Sequence, residues 1–149
     1  MQRTIEFYSE AEGFVARAAL WDDRAPKTCA LVWDLLPLSL QLHHAAYSGP
    51  ELALILPQYQ PIERENATTT CLPWELGFAS LRAQDFIDVD QDFSEIMFFY
   101  DRNTGPRMLD GLVAVNLFAH FISGQEELRR LAGVIRWEGR RPIHLRRSD

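Results

Sequence analysis

The spacing of hydrophobic residues changes between residues 25 and 49, where a helical pattern runs directly into an alternating one. Pro26 stands where the first turn of a helix tolerates proline. An apolar stripe at helical spacing follows, formed by Leu31, Val32, Leu35 and Leu36. The helix is expected to end near Leu36, because Pro37 disfavours helical geometry in the residue before it. From Leu38 to the turn at Gly49 the pattern alternates, which predicts a strand.

Most other segments also have the pattern of strands. They cover residues 4–8, 14–20, 51–56, 72–81, 95–100 and 112–122, with a last edge strand predicted at 142–145. The segment from Glu95, E-I-M-F-F-Y, is apolar on both faces and predicts a doubly buried central strand. Between the strands, residues 58–70 form a long polar excursion.

A second helix is predicted near the C-terminus. Ser123 and Glu126 have the spacing of a capping box. An apolar stripe formed by Leu128, Leu131, Ala132 and Ile135 follows, and Gly139 ends the helix. Many short strands with only two helices indicate one mainly β domain over residues 1–149, a barrel or sandwich with helices at its ends.

Composition and charge limit the classes of partner that are expected for the chain. The chain is 47% hydrophobic and 24% charged, which is typical of soluble globular proteins, and its longest apolar stretch, residues 111–122, is too short to span a membrane. The net charge is −6, divided between −11 over residues 1–128 and +5 over the rest. Such an acidic body would repel phosphates, so no nucleic-acid partner is predicted.

Two further features predict a cytoplasmic protein. The N-terminal residues include early acids and no apolar signal core, so secretion is not expected. Cys29 and Cys71 lie far apart without metal-type spacing, which is typical of small buried residues in a reducing compartment.

Several short motifs together resemble one protein family. They are the A-P-K-T helix, the strand end H-A-A-Y-S-G, E-N-A-T from Glu65, E-I-M-F-F-Y, and G-L-V-A-V-N-L-F-A-H from Gly111. They are similar to an uncharacterised bacterial family with a cyclophilin-like barrel. The resemblance implies an antiparallel barrel of about eight strands with two capping helices. It does not imply proline isomerase activity, because the arginine, phenylalanine and glutamine segments of cyclophilins are missing.

The chain departs from this family at Trp74, where a glycine is expected in a turn. Because tryptophan does not readily adopt a positive φ, the turn is expected to differ. Asp101 also stands where glycine would be usual.

Four residues are candidates for a ligand-binding site: His44, Glu65, Asn66 and Asn116. His44 shares the apolar face of its strand, whereas His43 points the opposite way and is expected to be exposed. Glu65 and Asn66 lie in the long excursion, and Asn116 interrupts an apolar strand. Each residue also has a structural interpretation. His44 would be a core histidine, Glu65 and Asn66 would hold the loop through side-chain hydrogen bonds, and Asn116 would be a buried polar bridge.

No metal or cofactor is predicted. The aspartates at 85, 88, 90 and 92 lack the glycine and the bidentate glutamate of an EF-hand loop. The motifs of serine hydrolases, phosphate-binding loops and zinc proteases are missing as well.

Three functions stay open. The first is a barrel that binds a small polar metabolite. The second is an enzyme that uses His44 with Glu65 or Glu75 as acid and base. The third is a structural subunit of a homo-oligomer, packed through exposed aromatic residues such as Trp21, Trp33 or Trp137.

Overall fold

The computed structural model describes residues 1–148 of the chain. Its strands are β1 (Thr4–Ser9), β2 (Phe14–Leu20), β3 (Leu38–His44), β4 (Glu51–Ile55), β5 (Ala67–Thr68), β6 (Glu75–Leu81), β7 (Phe93–Phe99), β8 (Arg107–Met108), β9 (Gly111–Leu112), β10 (Val115–Ser123) and β11 (Arg141–Ser148). Two α-helices, α1 (Pro26–Leu35) and α2 (Gln125–Glu138), and one 3₁₀ turn (Ala83–Asp85) complete the fold.

Eight strands close into an antiparallel barrel. They follow the order β2, β1, β11, β3, β4, β7, β6, β10, and β10 pairs with β2 to complete the circle. The short β5 extends β10, and β8 with β9 forms a separate hairpin. The predicted mainly β barrel of about eight strands with two helices is confirmed.

The barrel interior is a packed core. Its largest fully buried side chains include Phe7, Phe78, Phe98 and Phe118. The predicted stripe of α2 is buried, and Cys29 and Val32 of α1 belong to the same cluster, so both helices contribute to this core. Because phenylalanine rings fill the interior, any binding site is expected on the outside of the barrel.

A second apolar cluster covers the outer face of four neighbouring strands, β4, β7, β6 and β10. It consists of Ala53, Cys71, Ala79, Leu81, Met97, Phe99 and Val115. Side chains from the connecting segments, including Phe86, Met108 and Val113, pack over it. β7 is therefore buried on both faces, as its apolar sequence predicts.

Three local predictions are wrong. β11 lies between β1 and β3, so it is not an edge strand. β10 includes Ser123, and the N-cap of α2 is Gly124, because a Cβ at that position would collide with Ala16. Trp74 does adopt a positive φ of 74°, and its ring stacks on Phe98.

Candidate functional site

The predicted site residue Glu65 holds the start of α1. Its Oε1 accepts hydrogen bonds from the Thr28 backbone N–H at 2.9 Å and the Thr28 hydroxyl at 2.8 Å, and its Oε2 accepts one from the Lys27 N–H at 3.2 Å. Ala25, the N-cap, supplies no side-chain bond, so Glu65 takes that role from a distant part of the chain. Burial alone would raise the pKa of Glu65, but these hydrogen bonds outweigh it and lower the pKa.

Asn116 and Asn66 join the same network. Asn116 is buried; its Oδ1 accepts the Glu65 N–H at 3.1 Å, and its Nδ2 donates to the Glu63 carbonyl at 3.0 Å and to the Thr28 hydroxyl at 3.2 Å. Asn66 donates to the Leu117 carbonyl at 2.9 Å. These bonds tie the 58–70 excursion to α1 and β10, and they favour the structural reading of all three residues. A ligand role for them stays a prediction.

His44 belongs to a different part of the barrel. Its Nδ1 donates to the Ala45 carbonyl at 2.9 Å, and its Nε2 accepts the Tyr100 hydroxyl at 2.7 Å. Within residues 1–148, no hydrogen bond joins His44 to Glu65 or Glu75. The acid–base pairs expected from the sequence are therefore not assembled by direct contact.

A cleft of about 160 Å³ opens on the outer face of β4 and β7, beneath the β8–β9 hairpin. We call it the Glu51 cleft. Its polar lining is His43, Tyr47, Ser48, Glu51, Glu95 and Arg107, and its apolar wall includes Ile55, Leu81, Phe93, Met108, Val113 and Val115. Largely apolar walls with a few convergent polar groups are typical of small-molecule sites.

The turn between β3 and β4 places Glu51 in this cleft. Gly49 has a φ of +85°, and the Glu51 N–H donates to its carbonyl at 2.8 Å. The Ser48 hydroxyl accepts the Arg107 N–H at 2.9 Å and donates to the Arg107 carbonyl at 3.3 Å. The turn is therefore fastened to β8, which forms the roof of the cleft.

Glu51 is the unusual group of the site. The residue is only 5% exposed, and its Oε2 has no hydrogen-bond partner within residues 1–148. Burial, aided by the charge of Glu95, raises the pKa of Glu51 to about 8. A buried polar atom without a partner is unusual in a folded protein.

Glu95 and His43 complete the polar lining. Glu51 is opposite Phe99 and Ile55 is opposite Glu95, so both carboxyl side chains leave the same face near opposite ends of the β4–β7 pairing. Burial raises the pKa of Glu95 to about 7. Burial lowers the pKa of His43, and the positive charge of Arg140 acts in the same direction. His43, expected to be exposed, is half-buried and lines the cleft.

The cleft combines two carboxyl groups that form no ion pair within residues 1–148. Among the ion pairs of residues 1–148, none includes Glu51 or Glu95. Arg107 is exposed, and its backbone rather than its side chain bonds Ser48. The described residues contain no group of three His, Cys, Asp or Glu placed to hold a metal ion. Such a cleft could accept a hydrogen-bond donor or a cation, and could exchange protons near neutral pH.

Local sequence patterns do not predict this cleft, although two acids in the sequence stand in unusual places. Glu95 is charged within a strand whose other residues predicted burial on both faces, and Glu51 begins an otherwise apolar strand. An acid in a buried strand is unusual and is frequently functional. The pattern does not show that β4 and β7 are neighbouring strands.

Comparison with known proteins identifies the family of the chain. Residues 9–147 match the family described as "Protein of unknown function (DUF3830)". The chain belongs to this family. The predicted resemblance to an uncharacterised family is thereby confirmed, while bacterial origin and a specifically cyclophilin-like barrel stay predictions. No curated protein matches the chain.

Two solved structures share the fold. McbB in complex with tryptophan is 19% identical with a TM-score of 0.68; the match covers 97% of this chain but only 44% of McbB. The hypothetical protein AF2241 from Archaeoglobus fulgidus is 15% identical with a TM-score of 0.64, covering 99% of this chain and 95% of that one. At these identities the likeness concerns the fold alone. None of the described helices is long and apolar enough to cross a membrane.

Proposed function

We propose that this barrel binds a small polar metabolite, and that the ligand occupies the Glu51 cleft. The observation that carries the proposal is Glu51, a buried residue of the cleft lining whose Oε2 has no hydrogen-bond partner within residues 1–148. Leaving such an atom unsatisfied costs about 1–3 kcal/mol, which a ligand that bonds it would recover.

The surroundings of Glu51 support the same function. Phe93, Met108 and Val113 offer apolar contact area, while Glu51, Glu95 and His43 offer hydrogen bonds that can orient a ligand. A volume of about 160 Å³ suits a small metabolite rather than a peptide. McbB, which shares the fold, has been solved with bound tryptophan. The proposal for this chain rests on its own cleft.

A thermal-shift screen tests the proposal. Metabolites grouped by charge are added, and a binder is expected to raise the melting temperature. Ala46 lines the cleft and is exposed, so Ala46→Trp should fold and obstruct ligand entry. Ala30 is exposed on α1 outside the cleft lining, and Ala30→Trp is the matched control. Ligands that stabilise the Ala46→Trp variant as strongly as the parent protein would refute the location.

An enzyme is the second candidate, and it uses other residues than the sequence suggested. Glu51 and Glu95 have pKa values raised to about 8 and about 7, so the cleft holds a carboxylic acid toward one end and a group that can serve as a base near neutral pH toward the other. Once a ligand is identified, mass spectrometry after incubation shows whether it is converted. Conversion by the parent protein but not by Glu95→Gln supports catalysis, and an unchanged ligand favours simple binding.

We also propose that the protein is cytoplasmic and forms a homo-oligomer. Cys29 and Cys71 are both free thiols, which supports a reducing, cytoplasmic setting. For the proposed homo-oligomer, Trp137 is the supporting residue, since it is 81% exposed, whereas Trp21 and Trp33 are half-buried beneath arginine side chains. Light scattering of the parent protein and of Trp137→Gln tests this assembly, and two equal monomeric masses would contradict it.

A further inference from the structure

We propose that the ligand of the Glu51 cleft is an organic cation, an ammonium group on a short apolar body, with the ammonium bonded to Glu51. This inference rests on the proposed binding function and adds the chemical class of the ligand. It starts from the buried, unpaired Oε2 of Glu51 and from the second carboxyl, Glu95, in the same cleft.

The charges that face Glu51 indicate whether the ligand is positively or negatively charged. Glu95 on β7 is acidic, His43 on β3 is held toward its neutral form by burial, and Tyr47 and Ser48 in the turn contribute hydroxyl groups. The only basic residue on the roof is Arg107, which is exposed and makes no ion pair within residues 1–148. An anion would therefore meet two carboxyls and one exposed guanidinium, whereas an ammonium would satisfy the unpaired carboxyl of Glu51 in both charge and hydrogen bonding.

The volume and the apolar wall of the cleft indicate the size and character of the rest of the ligand. The apolar wall contains Leu81, Phe93, Met108 and Val113, which cannot bond a second polar group. A space of about 160 Å³ equals about five water volumes, enough for an amine with a short carbon chain. Glu95 lies toward the other end of the β4–β7 pairing, so a second ammonium on the same chain would also find a carboxyl.

Binding of a cation is expected to release a proton. Glu51 without a partner favours its neutral form because the carboxylate is desolvated, and an ammonium beside it favours the ionised form. The proton of Glu51 then passes to the solvent as the salt bridge forms. A neutral ligand that accepts or donates a hydrogen bond would leave the proton in place.

The test compares four small probes of the same carbon skeleton at pH 7: butylammonium, 1,4-diaminobutane, 1-butanol and butyrate. Affinities are measured by titration with observation of backbone amide resonances. Butylammonium is expected to bind at least roughly tenfold more tightly than 1-butanol, and butyrate not to bind, because a buried charge pair outweighs the apolar contacts that the probes share. The diamine is expected to bind at least as tightly as the monoamine.

Variants and proton counting make the result specific. Glu51→Gln keeps the shape of the side chain and is expected to weaken butylammonium binding roughly tenfold or more. Glu10→Gln, an exposed acid in the β1–β2 turn, is the control and should bind like the parent protein. Calorimetry in two buffers of different ionisation enthalpy should show release of up to about one proton per bound cation.

The outcomes separate this inference from the proposed function. Equal affinity for 1-butanol and butylammonium, or an undiminished affinity in Glu51→Gln, overturns the cation proposal. If the amines fail but another metabolite stabilises the parent protein and not Ala46→Trp, the cation class is wrong and the binding cleft stands. If no compound is affected by Ala46→Trp, both proposals fall.

Discussion

Replacing Glu51 with glutamine should make the protein more stable at neutral and alkaline pH. Glu51 is 5% exposed, and its Oε2 has no partner within residues 1–148, so its ionised form is poorly tolerated in the folded state. Glutamine has the same shape and stays neutral at every pH. A substitution that removes a native side chain and stabilises the fold is expected where the native residue serves binding rather than folding.

The size of the gain follows from the pKa of Glu51, which the fold raises from 4.5 to about 8. Below the lower value the carboxyl is neutral in both states, and the parent and Glu51→Gln should be almost equally stable. Between the two values only the unfolded chain ionises, so the stability of the parent falls as pH rises. Each pKa unit corresponds to about 1.4 kcal/mol, which gives a gap of about 3 kcal/mol at pH 7 and about 5 kcal/mol above pH 8.

Urea unfolding followed by tryptophan fluorescence between pH 5 and pH 9 measures this gap. The free-energy difference between Glu51→Gln and the parent should grow with pH and then level off near pH 8. Glu95 also ionises near neutral pH, and its burial adds to the alkaline loss of both proteins, so the comparison between them isolates Glu51. Glu10→Gln, an exposed acid, should track the parent at every pH. A gap that is constant across the pH range would refute the reasoning, because it would mean that Glu51 ionises alike in both states.

Three further predictions test other parts of the fold. Glu65→Ala should destabilise the protein by about 1 kcal/mol at neutral pH by removing the cap of α1. Because the fold lowers the pKa of Glu65, that cost should shrink as pH falls through its titration, and ligand affinity should not change. Gly133 lies exposed within α2 with nothing within 4 Å of an added Cβ, so Gly133→Ala should raise stability by about 0.5–1 kcal/mol in thermal unfolding. Burial raises the pKa of Cys29 and Cys71 to about 12, so a thiol reagent at pH 7 should label neither until urea is added, and rapid labelling of the native protein would contradict this.

The fold could be predicted from the sequence because its signals are local. Pro26 at the first turn of α1 and the apolar stripe of α2 each act within a few residues, and the structure has both helices where the pattern predicts them. Ser123 shows where local signals fail. Its spacing to Glu126 suits a capping box, but β10 pairs Ser123 with Arg17 of β2, and this tertiary pairing keeps Ser123 in the strand.

The site depends on contacts that no local pattern contains. Asn116 and Glu65 were found as polar residues in unusual places, and the structure does bring them together, 51 positions apart, in the network that caps α1. The alternating pattern of β3 predicts that His43 is exposed, because His43 lies on the face opposite the apolar one. The β8–β9 hairpin changes that, since it folds over the outer face of the sheet and encloses His43 in the Glu51 cleft.

The apolar outer face of β7 explains why a cleft exists there at all. A strand that reads E-I-M-F-F must bury both faces, and in a closed barrel the outer face can be buried only by segments that connect the strands. Met108 and Val113 pack over the cluster that contains Met97 and Phe99. Stability alone therefore explains why this part of the outer layer is apolar. Glu95 stands on the same outer face and Glu51 on that of the neighbouring strand, where burial raises the pKa of both and an apolar residue would be more stable. The covering layer accounts for the apolar residues but not for the two acids, and the proposed organic cation between the layers would account for both.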